Sequence, residues 1–83
     1  MDIEFEFSRH SLLMLYQRRI KAAWVSEALE EPVYREIESD EIHHYIKNIE
    51  EKEGRFLRVV VNISKNPYLI VTCFFDRRLG RKL

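Results

Sequence analysis

Two apolar runs near the C-terminus constrain the fold most strongly. Residues 56–63 and 69–75 are rich in Val, Ile and Phe, and the polar segment 64–67 separates them. Such runs are typical of strands in the middle of a sheet. The sequence therefore predicts two central strands that share one buried face. The residues predicted on that face are Leu57, Val59, Val61, Ile63, Leu69, Val71, Cys73 and Phe75.

Three further segments have strand patterns of mixed polarity. Ile3, Phe5 and Phe7 alternate with acidic residues, as in a short strand with one buried face. Residues 33–38 and 42–49 are expected to form half-exposed strands, and the polar residues 39–41 between them form a hairpin turn.

Two helical stripes lie between the first strand and the second. Ser8 is placed as an N-cap for a helix over residues 9–19, and a second helix over 22–31 stops before Pro32. The turn between them is tight, and the second helix lacks an evident capping side chain. The stripes expected to face the core are Leu12, Leu13, Tyr16 and Ile20, then Trp24, Val25, Ala28 and Leu29.

The predicted element order is β-α-α-β-β-β-β, an α+β fold with two N-terminal helices on one face of an antiparallel sheet. The 83 residues form a single domain, 1–83, with room for one core. The lone Cys73 cannot form an internal disulfide, which favours a reducing compartment. The acidic N-terminus does not match a signal peptide, and no run approaches a membrane span. A soluble cytoplasmic protein without a membrane partner is therefore expected.

Charge is balanced over the whole chain and unbalanced along it. Fourteen basic residues match fourteen acidic ones, which argues against a generic nucleic-acid binder. Residues 27–53 nevertheless carry three basic and ten acidic groups, whereas residues 54–83 carry seven basic groups and one acidic group. The basic C-terminal segment is expected to meet phosphate or an acidic partner, or to be a solvated tail.

Short motifs in the two helices and the last strands resemble one prokaryotic family. They comprise residues 7–11 (FSRHS), 17–20 (QRRI), 25–32 (VSEALEEP), 58–61 (RVVV) and 71–72 (VT). These resemble the motifs of domain-of-unknown-function family 4258 over residues 5–75. Arg19 stands where that family usually has glycine, and Lys21 and Ala22 stand where a Ser or Thr cap is usual. Both departures concern the turn between the helices.

That family is similar in predicted fold to the RelE/ParE-like toxins, including BrnT-like ones, of toxin–antitoxin systems. The resemblance implies an mRNA endoribonuclease, ribosome-dependent or free, or an inert relative. It also implies a small cognate antitoxin protein as partner. The sequence leaves ribosome binding and homo-oligomer formation open.

RNA cleavage by the 2′-hydroxyl requires proton transfer and cations near the phosphate. The candidate catalytic residues are His10, His43, Tyr45, Lys47 and Arg58. We expect His43, Tyr45 and Lys47 to share the sheet face that carries Arg58, opposite the helices. The alternatives are a structural helix-end role for His10, an exposed strand histidine at 43 and a salt bridge from Arg58 to Glu36 or Glu38.

A second group of residues could hold an RNA strand. The candidate backbone contacts are Arg55, Arg77, Arg78, Arg81 and Lys82, and Tyr68 and Phe74, with Tyr45, could stack on bases. Aromatic side chains at period two more often pack across strands. The competing function is a non-catalytic protein-interaction module, which would leave these groups dispersed or ion-paired.

The chemistry of cofactor binding is weakly represented. Three histidines and one cysteine without paired spacing do not predict a metal site, and two glycines cannot build a phosphate-cradling loop. No cofactor is therefore expected, and Cys73 is predicted to be a buried core thiol.

Overall fold

The computed structural model describes residues 3–80 and has an α+β architecture. Each predicted helix and strand is present. The observed bounds lie within one residue of the predicted ones, except at the N-terminus of the first strand. The elements are β1 (Phe5–Phe7), α1 (Arg9–Arg18), α2 (Ala22–Glu30), β2 (Tyr34–Ile37), β3 (Ile42–Ile49), β4 (Arg55–Asn62), β5 (Tyr68–Phe75) and α3 (Arg77–Gly80). A 3₁₀ turn at Glu50–Lys52 links β3 to β4.

The five strands form one mixed sheet in the order β1-β5-β4-β3-β2. Consecutive strands from β2 to β5 pair antiparallel, whereas β1 pairs parallel with β5. The predicted antiparallel sheet is therefore corrected at this edge. The two helices between β1 and β2 carry the chain across the sheet, so β1 and β2 lie at opposite edges.

Helix α2 supplies one half of the core. Trp24, Val25, Ala28 and Leu29 are all buried, which confirms the predicted stripe. They pack with Ile20 of the preceding turn and with side chains from one face of the sheet. The sheet residues buried in this cluster are Tyr45, Ile49, Leu57, Val59, Val61, Ile70 and Cys73.

Of the stripe predicted for α1, only Ile20 is buried, and it lies in the turn after the helix. Leu12, Leu13 and Tyr16 are 52%, 48% and 84% exposed, while Ser11 and Met14 are buried. The cause is the position of the helix along β5: β1 ends at Phe7, and α1 continues beside β5. A helix at a strand edge buries a narrow face, so the apolar residues on its outer side stay in contact with solvent.

The N-terminus of α1 is attached to β5 by Ser8. Its backbone N–H donates to Ile70 O at 3.1 Å, and its hydroxyl donates to Val71 O at 3.1 Å. Ser8 Oγ also accepts from the Ser11 backbone N–H at 3.0 Å, which confirms the predicted N-cap. One side chain thus both starts the helix and attaches it to the sheet.

The strand register corrects the predicted faces in two places. Tyr45 lies opposite Val59, and Ile46 lies opposite Arg58. Because directly opposed residues project from the same face, His43, Tyr45 and Lys47 belong to the α2 side, away from Arg58. A register shift next to Val60 and Val61 also brings Ile70, in place of Leu69 or Val71, onto the face with Cys73.

Within residues 3–80, no helix combines the length and the hydrophobicity needed to cross a lipid bilayer.

The turn between the helices is built on a left-handed residue. Arg19 has φ 54° and ψ 46°, and Leu15 O accepts hydrogen bonds from the backbone N–H groups of Arg19 and Ile20. This geometry favours glycine at position 19, since a side chain there costs about 1 kcal/mol. The next helix begins without a side-chain cap at Lys21, as the sequence indicated.

Replacing Arg19 by glycine is therefore expected to stabilise the protein. We expect the free energy of unfolding of Arg19→Gly to rise by about 0.5–1 kcal/mol, because the left-handed strain is removed. Urea denaturation would measure the change. Gln17→Gly is the control, since glycine inside α1 should lower stability by about 1 kcal/mol. Destabilisation by both changes would contradict the left-handed turn.

Candidate functional sites

Arg58 lies at the centre of a closed polar network on the sheet face opposite α2. Its side chain is 6% exposed, and Nε donates to Asp76 Oδ2 at 2.9 Å. Nη2 donates to Glu36 Oε2 at 3.1 Å, and Nη1 lies 2.9 Å from His44 Nδ1. Arginine can only donate, so His44 Nδ1 accepts, and Nε2 donates to Glu38 Oε1 at 2.9 Å.

This network explains why an arginine is tolerated inside an apolar strand. A buried guanidinium without partners would be costly, and here its three nitrogens each have one. Burial alone would lower the pKa of Arg58, but the hydrogen bonds to Glu36 and Asp76 outweigh it and raise that pKa. The hydrogen bond from Arg58 lowers the pKa of Glu36. Arg58 thus forms a salt bridge to Glu36, one of the two partners that the alternative interpretation named.

Asp76 connects this network to the C-terminal helix. It is 4% exposed, and it accepts from the backbone N–H of Arg78 at 3.0 Å and from the Arg78 guanidinium. These hydrogen bonds, led by the Arg78 side chain and joined by Arg58, outweigh burial and lower the pKa of Asp76 from 3.8 to about 2. One carboxylate therefore holds both β4 and the start of α3.

A second cluster lies on the α2 side, near the edge formed by β2. Arg35 Nη2 is 3.0 Å from His43 Nδ1, and its guanidinium lies 4.7 Å from the centre of the Tyr45 ring. Burial raises the pKa of Tyr45. Lys47 shares this face with Tyr45 by strand parity. The predicted catalytic residues His43, Tyr45 and Lys47 therefore share one face, as expected. The arginine beside them is Arg35, whereas Arg58 was predicted there.

His10 occupies a third place. It lies exposed in the first turn of α1, with Nε2 3.1 Å from Thr72 Oγ1. Its partner projects from the face of β5 that carries Arg58, since Thr72 pairs with Val60. The proposed catalytic set is therefore divided among three locations: His10 at α1, the Arg35 cluster on the α2 side and the Arg58 network on the opposite face.

A pocket lined by basic side chains opens at the end of the sheet where β5 finishes. Its volume is about 430 Å³, and the lining residues are Arg18, Lys52, Arg55, Phe75 and Arg77. The Arg55 guanidinium lies 4.8 Å from the centre of the Phe75 ring. Within residues 3–80, none of these four cations forms a salt bridge. We call this group the basic pocket.

The basic pocket contains two of the predicted RNA contacts and two residues that sequence reasoning missed. Arg55 and Arg77 were predicted; Arg18 and Lys52 were not. Lys52 lies in an acidic segment, and Arg18 lies in a helix far along the chain, so only folding brings them together. A signal for Arg18 was its place in the last turn of α1, on the side of the helix away from Leu12.

The other predicted RNA contacts lie elsewhere. Phe74 is on the face of Arg58, with the Arg18 guanidinium 6.0 Å from its ring centre, and Tyr68 pairs with Phe5 at the opposite end of β5. Arg78 is bound to Asp76. Arg81 and Lys82 lie outside the described residues. Cys73 is fully buried, and burial raises its pKa to about 11, as expected of a core thiol.

Comparison with known protein families identifies the family of this chain. Residues 7–75 match the model of a domain of unknown function, DUF4258. The chain belongs to this family. No curated protein matches it, and no solved structure matches it. The match covers α1 to β5 and therefore includes the Arg58 network up to its last member, Asp76, which follows the matched segment directly.

The low pKa of Asp76 predicts a specific acid sensitivity. The folded-state pKa of Asp76 is about 2, below the ordinary 3.8, so the ionised carboxylate stabilises the fold above pH 4. This contribution is lost as the pH falls toward 2. We expect Asp76→Asn to lower the free energy of unfolding by about 2 kcal/mol or more at pH 7. Its stability should then decline less than that of the wild type between pH 4 and pH 2.

Urea denaturation at pH 7, 4 and 3 would measure both effects. Asp40→Asn is the matched control, since Asp40 lies exposed in the turn between β2 and β3. Equal acid sensitivity of Asp76→Asn and the wild type would contradict the role given to this carboxylate.

Proposed function

We propose that this domain binds single-stranded RNA and that the basic pocket holds the phosphate backbone. The observation that carries the proposal is the convergence of Arg18, Lys52, Arg55 and Arg77 around Phe75, with no carboxylate among the described residues that line the pocket. Phosphate contacts supply most of the affinity of sequence-independent nucleic-acid binding. The four pocket cations form no salt bridge within residues 3–80 and are available for that role.

The charge pattern supports a local interaction with RNA. The net charge of the chain is zero, so attraction to a polyanion has to come from a confined region. Arg58, which lies outside the basic pocket, is neutralised by Glu36 and Asp76. Arg55 lies against the Phe75 ring, and guanidinium and aromatic planes are groups on which unpaired bases stack.

Removal of two pocket charges should weaken RNA binding and its salt dependence. For Arg55→Gln/Arg77→Gln we expect the Kd for an unstructured RNA oligonucleotide to rise about tenfold at low salt. The slope of log K against log salt should fall in magnitude by about 1.4, because two phosphate contacts of about 0.7 each are lost on a single strand. Fluorescence anisotropy over a salt series would measure both.

The control removes the same charge elsewhere. Arg9→Gln/Lys65→Gln changes two exposed cations that do not line the pocket. It should leave the affinity and the slope close to wild type. An equal loss in both double variants would mean that net charge, and no defined site, governs binding.

RNA cleavage as the toxin of a toxin–antitoxin pair is the second candidate function. The Arg35–His43–Tyr45 cluster favours it, because it joins a cation, an imidazole and an aromatic ring on one face. In the proposed step Arg35 turns from His43 to the phosphate, His43 Nδ1 takes the proton of the 2′-hydroxyl, and the 2′-oxygen attacks phosphorus. The P–O5′ bond breaks, and the 5′-oxygen takes a proton from water. A 2′,3′-cyclic phosphate and a 5′-hydroxyl result.

The partner in this proposal is a small antitoxin protein, and the open edge at β2 supports it. All four residues of β2 are exposed, with Tyr34 at 55% and Ile37 at 71%, and among residues 3–80 β2 pairs with β3 alone. An exposed edge of this kind accepts an added strand from another chain.

Induced expression separates cleavage from binding. We expect the wild type to arrest growth with loss of intact mRNA, and His43→Ala to abolish mRNA loss while retaining RNA affinity. His10→Ala is the matched control and should still arrest growth, since His10 lies outside the Arg35 cluster. Loss of toxicity in His10→Ala alone would contradict the role of His43. Harmless expression of the wild type would contradict the toxin proposal and leave RNA binding to be judged by its own assay.

A further inference from the structure

The charge in the basic pocket exceeds what an internal phosphodiester needs. Four cationic side chains from four separate segments meet there: α1, the 3₁₀ turn, β4 and α3. An internal RNA phosphate carries one negative charge, whereas a phosphomonoester carries between one and two at pH 7 and presents three acceptor oxygens. The balance of charge therefore favours a phosphomonoester.

The carboxylates next to the pocket are directed elsewhere. Glu51 precedes Lys52, but it accepts from Lys21 Nζ at 2.8 Å and from Trp24 Nε1 at 3.1 Å. Asp76 separates Phe75 from Arg77, but it is bound to Arg58 and Arg78. Glu53, which follows Lys52, does not line the pocket and forms no salt bridge within residues 3–80. Among the residues that the structure describes, the pocket therefore keeps its positive charge.

The size of the pocket and the contact of Arg55 agree with a terminal group. A volume of about 430 Å³ is enough for a ligand of that size. Arg55 is held against the Phe75 ring, so its guanidinium loses less freedom when it binds a phosphate. Arginine forks bind phosphate oxygens in pairs.

We propose that the basic pocket binds the phosphomonoester at the end of an RNA strand. This inference rests on the RNA-binding function proposed above and assigns the chemical group that the pocket selects. Arg55 and Arg77 contact the terminal phosphate oxygens, and Arg18 and Lys52 supply the remaining positive field. RNA with hydroxyl groups at both ends binds through its internal phosphates, and more weakly.

The test compares three RNA oligonucleotides of one sequence, which carry a 5′-phosphate, a 3′-phosphate or hydroxyl groups at both ends. Fluorescence anisotropy with an internal label should show about tenfold tighter binding of one phosphorylated form than of the hydroxyl form. The two phosphorylated forms distinguish which end enters the pocket. Arg77→Gln should remove most of this preference, and Lys65→Gln should preserve it.

Each result decides between the two proposals. Equal affinity for the three oligonucleotides would overturn the terminal-phosphate inference and leave RNA binding in place. No binding of any oligonucleotide would overturn both. A preference that persists in Arg77→Gln and in Arg55→Gln, with circular dichroism showing both variants folded, would place the selective site outside the basic pocket and overturn the inference.

Discussion

The buried guanidinium of Arg58 is the constraint around which one side of the molecule is organised. It projects from the middle of β4, where only complete hydrogen bonding makes its burial tolerable. Glu36 comes from β2, His44 from β3 and Asp76 from the chain beyond β5. The network therefore connects the edge strand β2 and the C-terminal helix α3 to the middle of β4. It also determines the pocket, because the residues on either side of Asp76 are Phe75 and Arg77.

The sequence predicted the elements well because their local signals were strong. The Ser8 cap, the α2 stripe before Pro32 and the two apolar C-terminal runs each have one dominant interpretation. The face of β3 did not. Ile42 and Ile46 are apolar at one parity, and Tyr45 and Ile49 at the other. Alternation alone could not decide which side meets α2, and the wrong choice placed His43 beside Arg58.

The candidate sites were less predictable than the fold because they depend on long-range placement. The apolar stripe on the outer side of α1 has the pattern of a core-facing surface. It faces solvent because the helix lies along the edge of β5, where Ser11 and Met14 are the buried residues. Arg18 and Lys52 meet Arg55 only after α1, the 3₁₀ turn and β4 converge. The basic character of residues 54–83 did point to Arg55 and Arg77, since like charges concentrated in one segment persist in most folded arrangements.

The two groups of cations in this chain differ in a way that bears on function. Arg58 and Arg78 both form ion pairs with the carboxylate of Asp76, so their charges are partly compensated within the fold. The four cations of the basic pocket repel one another, and that repulsion lowers stability as long as the pocket is empty. Glu51 and Asp76 are close enough along the chain to relieve it, yet each is bound elsewhere. An anion that enters the pocket would offset the repulsion, and this relief would contribute to the free energy of binding.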